Sequence, residues 1–173
     1  MLSRDRKLNR LRDFNYSDFG YYFVTVCTKD RVCYFGDVRG EEMVLNIFGQ
    51  IVKQQWLWLG EKYQYIELDQ FNILPNHIHG IIIINPIQTN YVGTGRDLSL
   101  QRDDKIKSLS ELIGAFKTTS SKLIHQLGLS EFQWQRSFYD RIIRNEKELD
   151  NIRKYILENV IKWNQDINNP KNQ

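Results

Sequence analysis

The chain has 173 residues, 41% hydrophobic and 26% charged, with a net charge of +3. This is an ordinary globular composition and predicts one domain, residues 1–173, with a proper core. No apolar run approaches a membrane span, and the arginine-rich start lacks the apolar core of a signal peptide, so no membrane partner is expected. Two cysteines outside any Cys-x-x-Cys pair read as reduced, semi-buried thiols of a cytoplasmic protein rather than a structural disulfide.

The first 18 residues form a basic arm, with Arg4, Arg6, Lys7, Arg10 and Arg12 against Asp5 in its densest part. Tyr21 to Cys27 is aromatic and β-branched, which predicts a first strand, with Lys29-Asp30-Arg31 as a turn. From about 41 to 60, Val44, Ile47, Phe48, Ile51 and Leu59 recur at helical spacing, and Gly60 is a plausible stop. Tyr65–Leu74 and Ile78–Ile84 read as two strands joined tightly through Pro75 and Asn76, hence an antiparallel hairpin.

Residues 86–107 are expected to be a flexible loop; Val92-Gly93-Thr94-Gly95-Arg96 lacks the lysine of a phosphate loop. Ser110 is read as the cap of a second helix that ends at Gly128. Its polar face carries Lys117, Thr118, Ser121 and Lys122, which can either hold a phosphate backbone or simply be solvated. Trp134–Ile143 reads as a fourth strand. Asn145 with Glu148 resembles a capping box for a last helix, 145–163, followed by a polar tail, 168–173. The order predicts an α+β fold: a ferredoxin-like βαββαβ antiparallel sheet with helices on one face, plus a C-terminal helix.

Within the third strand stands Asn76-His77-Ile78-His79-Gly80. Strand side chains alternate, so both imidazoles point the same way, about 7 Å apart along the backbone, and can ligate one cation. Hydrogen-bonded core histidines without a metal are the plain alternative. On the last helix Tyr155 and Asn159 lie one turn apart, on the shoulder of an apolar stripe. If they share a cleft with the histidines, two imidazoles and an amide oxygen leave coordination positions open, which suits Mg²⁺ or Mn²⁺. A tyrosine beside such an ion can attack a phosphodiester and retain its energy as a phosphotyrosine bond.

Taken together, Pro75–Gly80, Trp134–Asn145 and Ile152–Asn159 closely resemble the HUH single-tyrosine transposases, more narrowly the REP-associated branch, over about residues 10–165. The resemblance implies a nucleophile at Tyr155, metal ligands at His77, His79 and Asn159, and Mg²⁺ or Mn²⁺ as cofactor. It implies a partner too: single-stranded DNA with a hairpin, cleaved through a 5′-phosphotyrosine, in a cytoplasmic, nucleoid-associated bacterial enzyme, monomer or homodimer. Phosphate contacts are assigned to Arg4, Arg6, Arg10, Arg12, Lys117, Lys122, Arg136 and Arg141. Here Val160 follows Asn159 where many relatives have proline, which bears on the helix end. The competing function is a non-catalytic single-stranded DNA or hairpin-binding module, which needs no metal-plus-phenol set. A histidine phosphoesterase would call for two His-x-Ser/Thr motifs, whereas this chain has one His-x-His and a lone His125.

Overall fold

Eight consecutive residues, His77 to Ile84, are all buried. A strand apolar on both sides needs cover on both faces, and the fold supplies it. The computed structural model describes residues 19–85 and 106–172; the basic arm, positions 86–105 of the expected loop and Gln173 lie outside the described residues. The elements run β1 (Gly20–Cys27), β2 (Gly36–Arg39), β3 (Glu42–Leu45), α1 (Ile47–Lys62), β4 (Ile66–Leu74) and β5 (His77–Ile84). They continue with α2 (Leu109–Gln126), β6 (Tyr139–Ile143) and α3 (Glu146–Glu158).

The main sheet has the order β4-β5-β1-β6 and is antiparallel throughout, the ferredoxin-like arrangement expected. One face carries Val24, Val26, Ile78 and Ile82 against Val52 and Trp56 of α1 and Ile113 and Phe116 of α2. The other carries Phe23, Ile81, Ile83 and Ile143 against Leu149, Ile152 and Ile156 of α3. Gly80 lies on the α1 side, where a Cβ would stand 2.4 Å from the Trp56 ring. Only glycine lets α1 settle this close to β5.

The structure departs from the expected elements at five places. The helix expected from 41 begins at Ile47, and the residues before it form the small β2–β3 hairpin, turning at Gly40 with φ +63. Met43 and Leu45 are half-buried while Glu42 and Val44 are exposed, a period of two. The helix starts where it does because the Asn46 side chain accepts from the N–H groups of Phe48 and Gly49, each at 3.0 Å. Asn46→Ala is expected to cost about 1 kcal/mol, checked by thermal melting, with an unchanged midpoint counting against that role for the cap.

The cap of α2 is Ser108, not Ser110: its hydroxyl accepts from Glu111 N, and the Glu111 carboxylate returns a bond to Ser108 N at 2.8 Å. The fourth strand is shorter than 134–143. Trp134 makes only an isolated bridge to Thr28, and pairing resumes at Tyr139. Between them, Lys117 Nζ donates toward the carbonyls of Gln135, Arg136 and Ser137 at 2.7, 3.4 and 3.1 Å, which withdraws them from any ladder. The last helix ends at Glu158; Asn159 N bonds three residues back to Ile156 O, tightening the turn, and 163–165 is a short 3₁₀ turn.

The polar tail is the fifth departure. Asp166, Asn168 and Asn169 are buried. Asn169 Nδ2 donates to Trp163 O at 3.0 Å, and Arg31 reaches Ile167 O at 2.7 Å. These side chains are polar because they hydrogen-bond backbone, not because they face water.

Candidate metal and tyrosine site

The register of the sheet builds the site. Thr25 lies opposite His79, and Cys27 opposite His77, on the face covered by α3. Alternation along β5 turns both imidazoles to that face, and their Nε2 atoms approach to 3.0 Å. Both rings are buried and held at their outer nitrogens, His77 Nδ1 by Asn76 Oδ1 and His79 Nδ1 by Thr25 Oγ1, each at 2.8 Å. Burial pushes both imidazoles toward the neutral form, His77 well down, with the neighbouring His79 adding to the effect, and His79 to about 3. Neutral imidazole is the form that ligates cations.

Asp166 completes the group. Its Oδ2 lies 3.8 Å from His77 Nε2, and the ligand atoms of His77, His79 and Asp166 all fall within 4.8 Å of one another. This buried set of two imidazoles and a carboxylate could hold a divalent metal. The donors fit one: two neutral nitrogens face each other with a carboxylate beside them, in a pocket otherwise costly for an isolated charge.

Tyr155 arrives from α3, 47% exposed. Its hydroxyl is 3.4 Å from His79 Nε2, and its ring packs edge-on against His79 and Phe23, with centroids 5.3 and 6.0 Å away. Burial raises the phenol pKa and Asp166 adds to it; the Asn159 amide alongside works to lower it. Asn159 is buried at the end of α3, and its Nδ2 makes no well-formed hydrogen bond. The helix is fixed to the sheet by Arg153, whose guanidinium grips Asp69 (Nη2 to Oδ2 2.5 Å, Nε to Oδ2 3.1 Å), and by Asn72 Nδ2 on Ile156 O at 3.2 Å. Asp69 lies within the register shift between Leu68 and Phe71 of β4, a local irregularity that re-aims side chains.

Of the sequence-derived residues, His77, His79 and Tyr155 come together, and Asn159 joins them through Tyr155. Asp166 was missed: a single aspartate in a polar stretch has no spacing that marks it. Arg136 and Arg141 are exposed, Arg141 with an ion pair to Glu148 at 2.6 Å. Lys122 is exposed and lines an open groove with Ser121, Gln126, Gln133 and Trp134. Lys117 lines it too, but its ammonium serves three carbonyls, and burial lowers its pKa to about 8. His125 bonds Phe132 O at 2.8 Å, a structural role. Cys27 is buried and Cys33 exposed, both free. Arg4, Arg6, Arg10 and Arg12 lie outside the described residues. Among the described residues no helix is long and apolar enough to cross a membrane.

No protein-family model matches the chain. The fold is that of a REP-associated tyrosine transposase solved bound to a REP hairpin, with a TM-score of 0.56 at 21% identity, over 89% of this chain and 73% of that one. That likeness is one of fold. In sequence, an uncharacterized protein of Haemophilus influenzae (strain Rd) is 34% identical over 164 residues, spanning 93% of this chain and 91% of that protein. The chain belongs to one family with that protein. A putative transposase from Deinococcus radiodurans R1 is similar at 14% identity and a TM-score of 0.46, over 85% and 94% of the two chains.

Proposed function

We propose that the chain is a divalent-metal-dependent DNA strand transferase with Tyr155 as its nucleophile. The observation that carries this reading is the 3.4 Å between the Tyr155 hydroxyl and His79 Nε2. It sets a half-exposed phenol at the mouth of a buried group able to hold a cation. Binding alone has no use for that arrangement.

His77, His79 and Asp166 would hold the ion. Asn159, whose amide lies alongside the Tyr155 hydroxyl, is proposed as a further donor. Mg²⁺ or Mn²⁺ suits a donor set that includes a carboxylate and leaves positions open better than structural zinc does. When bound, such an ion screens the charge of a phosphodiester and polarises it.

Tyr155 Oη attacks phosphorus in line, forming the Oη–P bond as the P–O3′ bond breaks. The phenol gives up its proton to solvent and the leaving oxygen takes one up to become a 3′ hydroxyl, so no proton is gained or lost overall, and the 5′ phosphate stays on tyrosine. Because the phenol pKa is raised, its proton stays on at neutral pH until substrate and cation are in place. The substrate proposed is single-stranded DNA beside a hairpin, on the fold likeness to a transposase solved with one and the motif order of the chain. Arg136, Arg141, Lys122 and the basic arm would contact its phosphates, so binding should weaken steeply with salt.

The test is a denaturing gel of the protein with labelled hairpin-bearing single strands from the DNA flanking its gene, plus Mn²⁺ or Mg²⁺. A labelled band at protein size that Tyr155→Phe lacks, while still shifting DNA in native gels, is the expected result. Shifts without any adduct would instead favour the non-catalytic hairpin-binding module; an adduct in Tyr155→Phe would reassign the nucleophile.

A further inference from the structure

The hydrogen bonds around the two imidazoles have only one self-consistent direction. Asn76 Nδ2 lies 2.7 Å from Arg31 O and 2.8 Å from Asn168 O. Carbonyl oxygens only accept, so these two contacts fix the nitrogen end of the amide. Its oxygen is therefore the atom 2.8 Å from His77 Nδ1, and His77 must carry its proton there. The lone pair of His77 then sits on Nε2, 3.0 Å from His79 Nε2. Two lone pairs cannot face each other at that distance, so without a cation His79 holds its proton on Nε2 and donates it. His79 Nδ1 is left as an acceptor, served by the Thr25 hydroxyl at 2.8 Å. Asp166 Oδ2, at 3.8 Å from His77 Nε2, is too far to hydrogen-bond it and claim a proton there.

A bound cation needs lone pairs on both Nε2 atoms. His77 already presents one. His79 must move its proton from Nε2 to Nδ1, with no net proton gained or lost, and the hydroxyl opposite Nδ1 must turn from donor to acceptor. A threonine hydroxyl can do this by a simple rotation, whereas an amide must flip end for end and an ionised carboxylate only accepts.

We propose that Asn76 and Thr25 are positioning residues with different duties: Asn76 holds His77 permanently in its ligating tautomer, and Thr25 is the reversible partner that lets His79 change tautomer when a divalent cation enters. The proposal rests on the metal reading above. Strand register fixes the Thr25–His79 pairing. The Asn76 amide ties the turn at Arg31 and the segment at Asn168 to the outer side of His77.

The experiment is long-range ¹H–¹⁵N correlation of ¹⁵N-histidine-labelled protein, which reads imidazole tautomers directly, before and after addition of Mg²⁺. The expected result is His77 as Nδ1–H throughout, with His79 going from Nε2–H to Nδ1–H on Mg²⁺ addition. Asn76→Ala should mix the tautomers of His77. By calorimetry with Mn²⁺, Thr25→Val should weaken binding roughly 10–100-fold, the usual effect of losing an outer-shell partner, and Thr25→Ser should recover it. A His79 already in the Nδ1–H form without cation, or a Thr25→Val protein that binds Mn²⁺ like wild type, would overturn the proposal. If wild type takes up no divalent cation, the metal reading and the Thr25 reversal fall together, while the cation-free tautomers still decide the part assigned to Asn76.

Discussion

Asp166→Asn is expected to reduce Mn²⁺ affinity by at least the roughly 10–100-fold that follows loss of an outer partner, with little change in melting temperature. Among the residues proposed to hold the ion, Asp166 alone carries a negative charge; His77 and His79 are held neutral by burial. Hard cations such as Mg²⁺ and Mn²⁺ depend on carboxylate oxygens far more than zinc does. The substitution removes the charge and keeps an oxygen able to accept from Asn168 N, the 2.6 Å bond that shapes the local turn. Calorimetry with Mn²⁺ beside a thermal melt separates the two effects. Unchanged affinity would move the third ligand elsewhere, and Asn159→Ala would then be the variant to lose binding.

Trp56→Ala is expected to destabilise the fold by about 3–5 kcal/mol, the usual range for deleting a buried tryptophan. For a chain of this size that lowers the melting midpoint by on the order of 10 °C. Trp56 is fully buried, with its ring 5.4 Å from Phe116 and 6.2 Å from Phe71, and it covers the place where Gly80 has no side chain. Trp56→Phe should cost much less, because Trp56 Nε1 is buried without a hydrogen-bond partner and its loss offsets part of the lost packing. Gly80→Ala should be harmful in the wild-type background and milder when combined with Trp56→Phe, whose smaller ring leaves room for the added methyl. Calorimetric melts of wild type, the two single variants and the double variant check this; equal effects of Gly80→Ala in both backgrounds would show that the close approach does not set the packing.

How much of this was legible in sequence depended on how local its cause is. The strand through His77 and His79 was readable because alternation and an isoleucine run are properties of neighbouring residues. The small hairpin before α1 was not, since Val44 and Ile47 satisfy helical spacing by coincidence and the decisive cap is one asparagine. The strand expected from Trp134 stops short because Lys117, on another element, takes the carbonyls of 135–137. That contact also turns a lysine read as a phosphate contact into a structural one. Asp166 and the buried asparagines after it carry no periodicity, so only the folded chain could place them beside His77. Tyr155 was picked out by its place with Asn159 on the shoulder of a helical stripe and matched by a resemblance; its distance from His79 needed the register of the sheet and the seating of α3.

The amide of Asn76 joins backbone 45 residues before it to backbone 92 residues after it. A ribosome therefore delivers the histidine pair long before it delivers the segment that backs it and the carboxylate that stands beside it. Loop closure over such spans comes late in folding. A nascent or broken chain can carry both histidines and the tyrosine and still lack the pocket that would arm them, so on the proposed reading competence to cut DNA is withheld until synthesis has run well past the tyrosine.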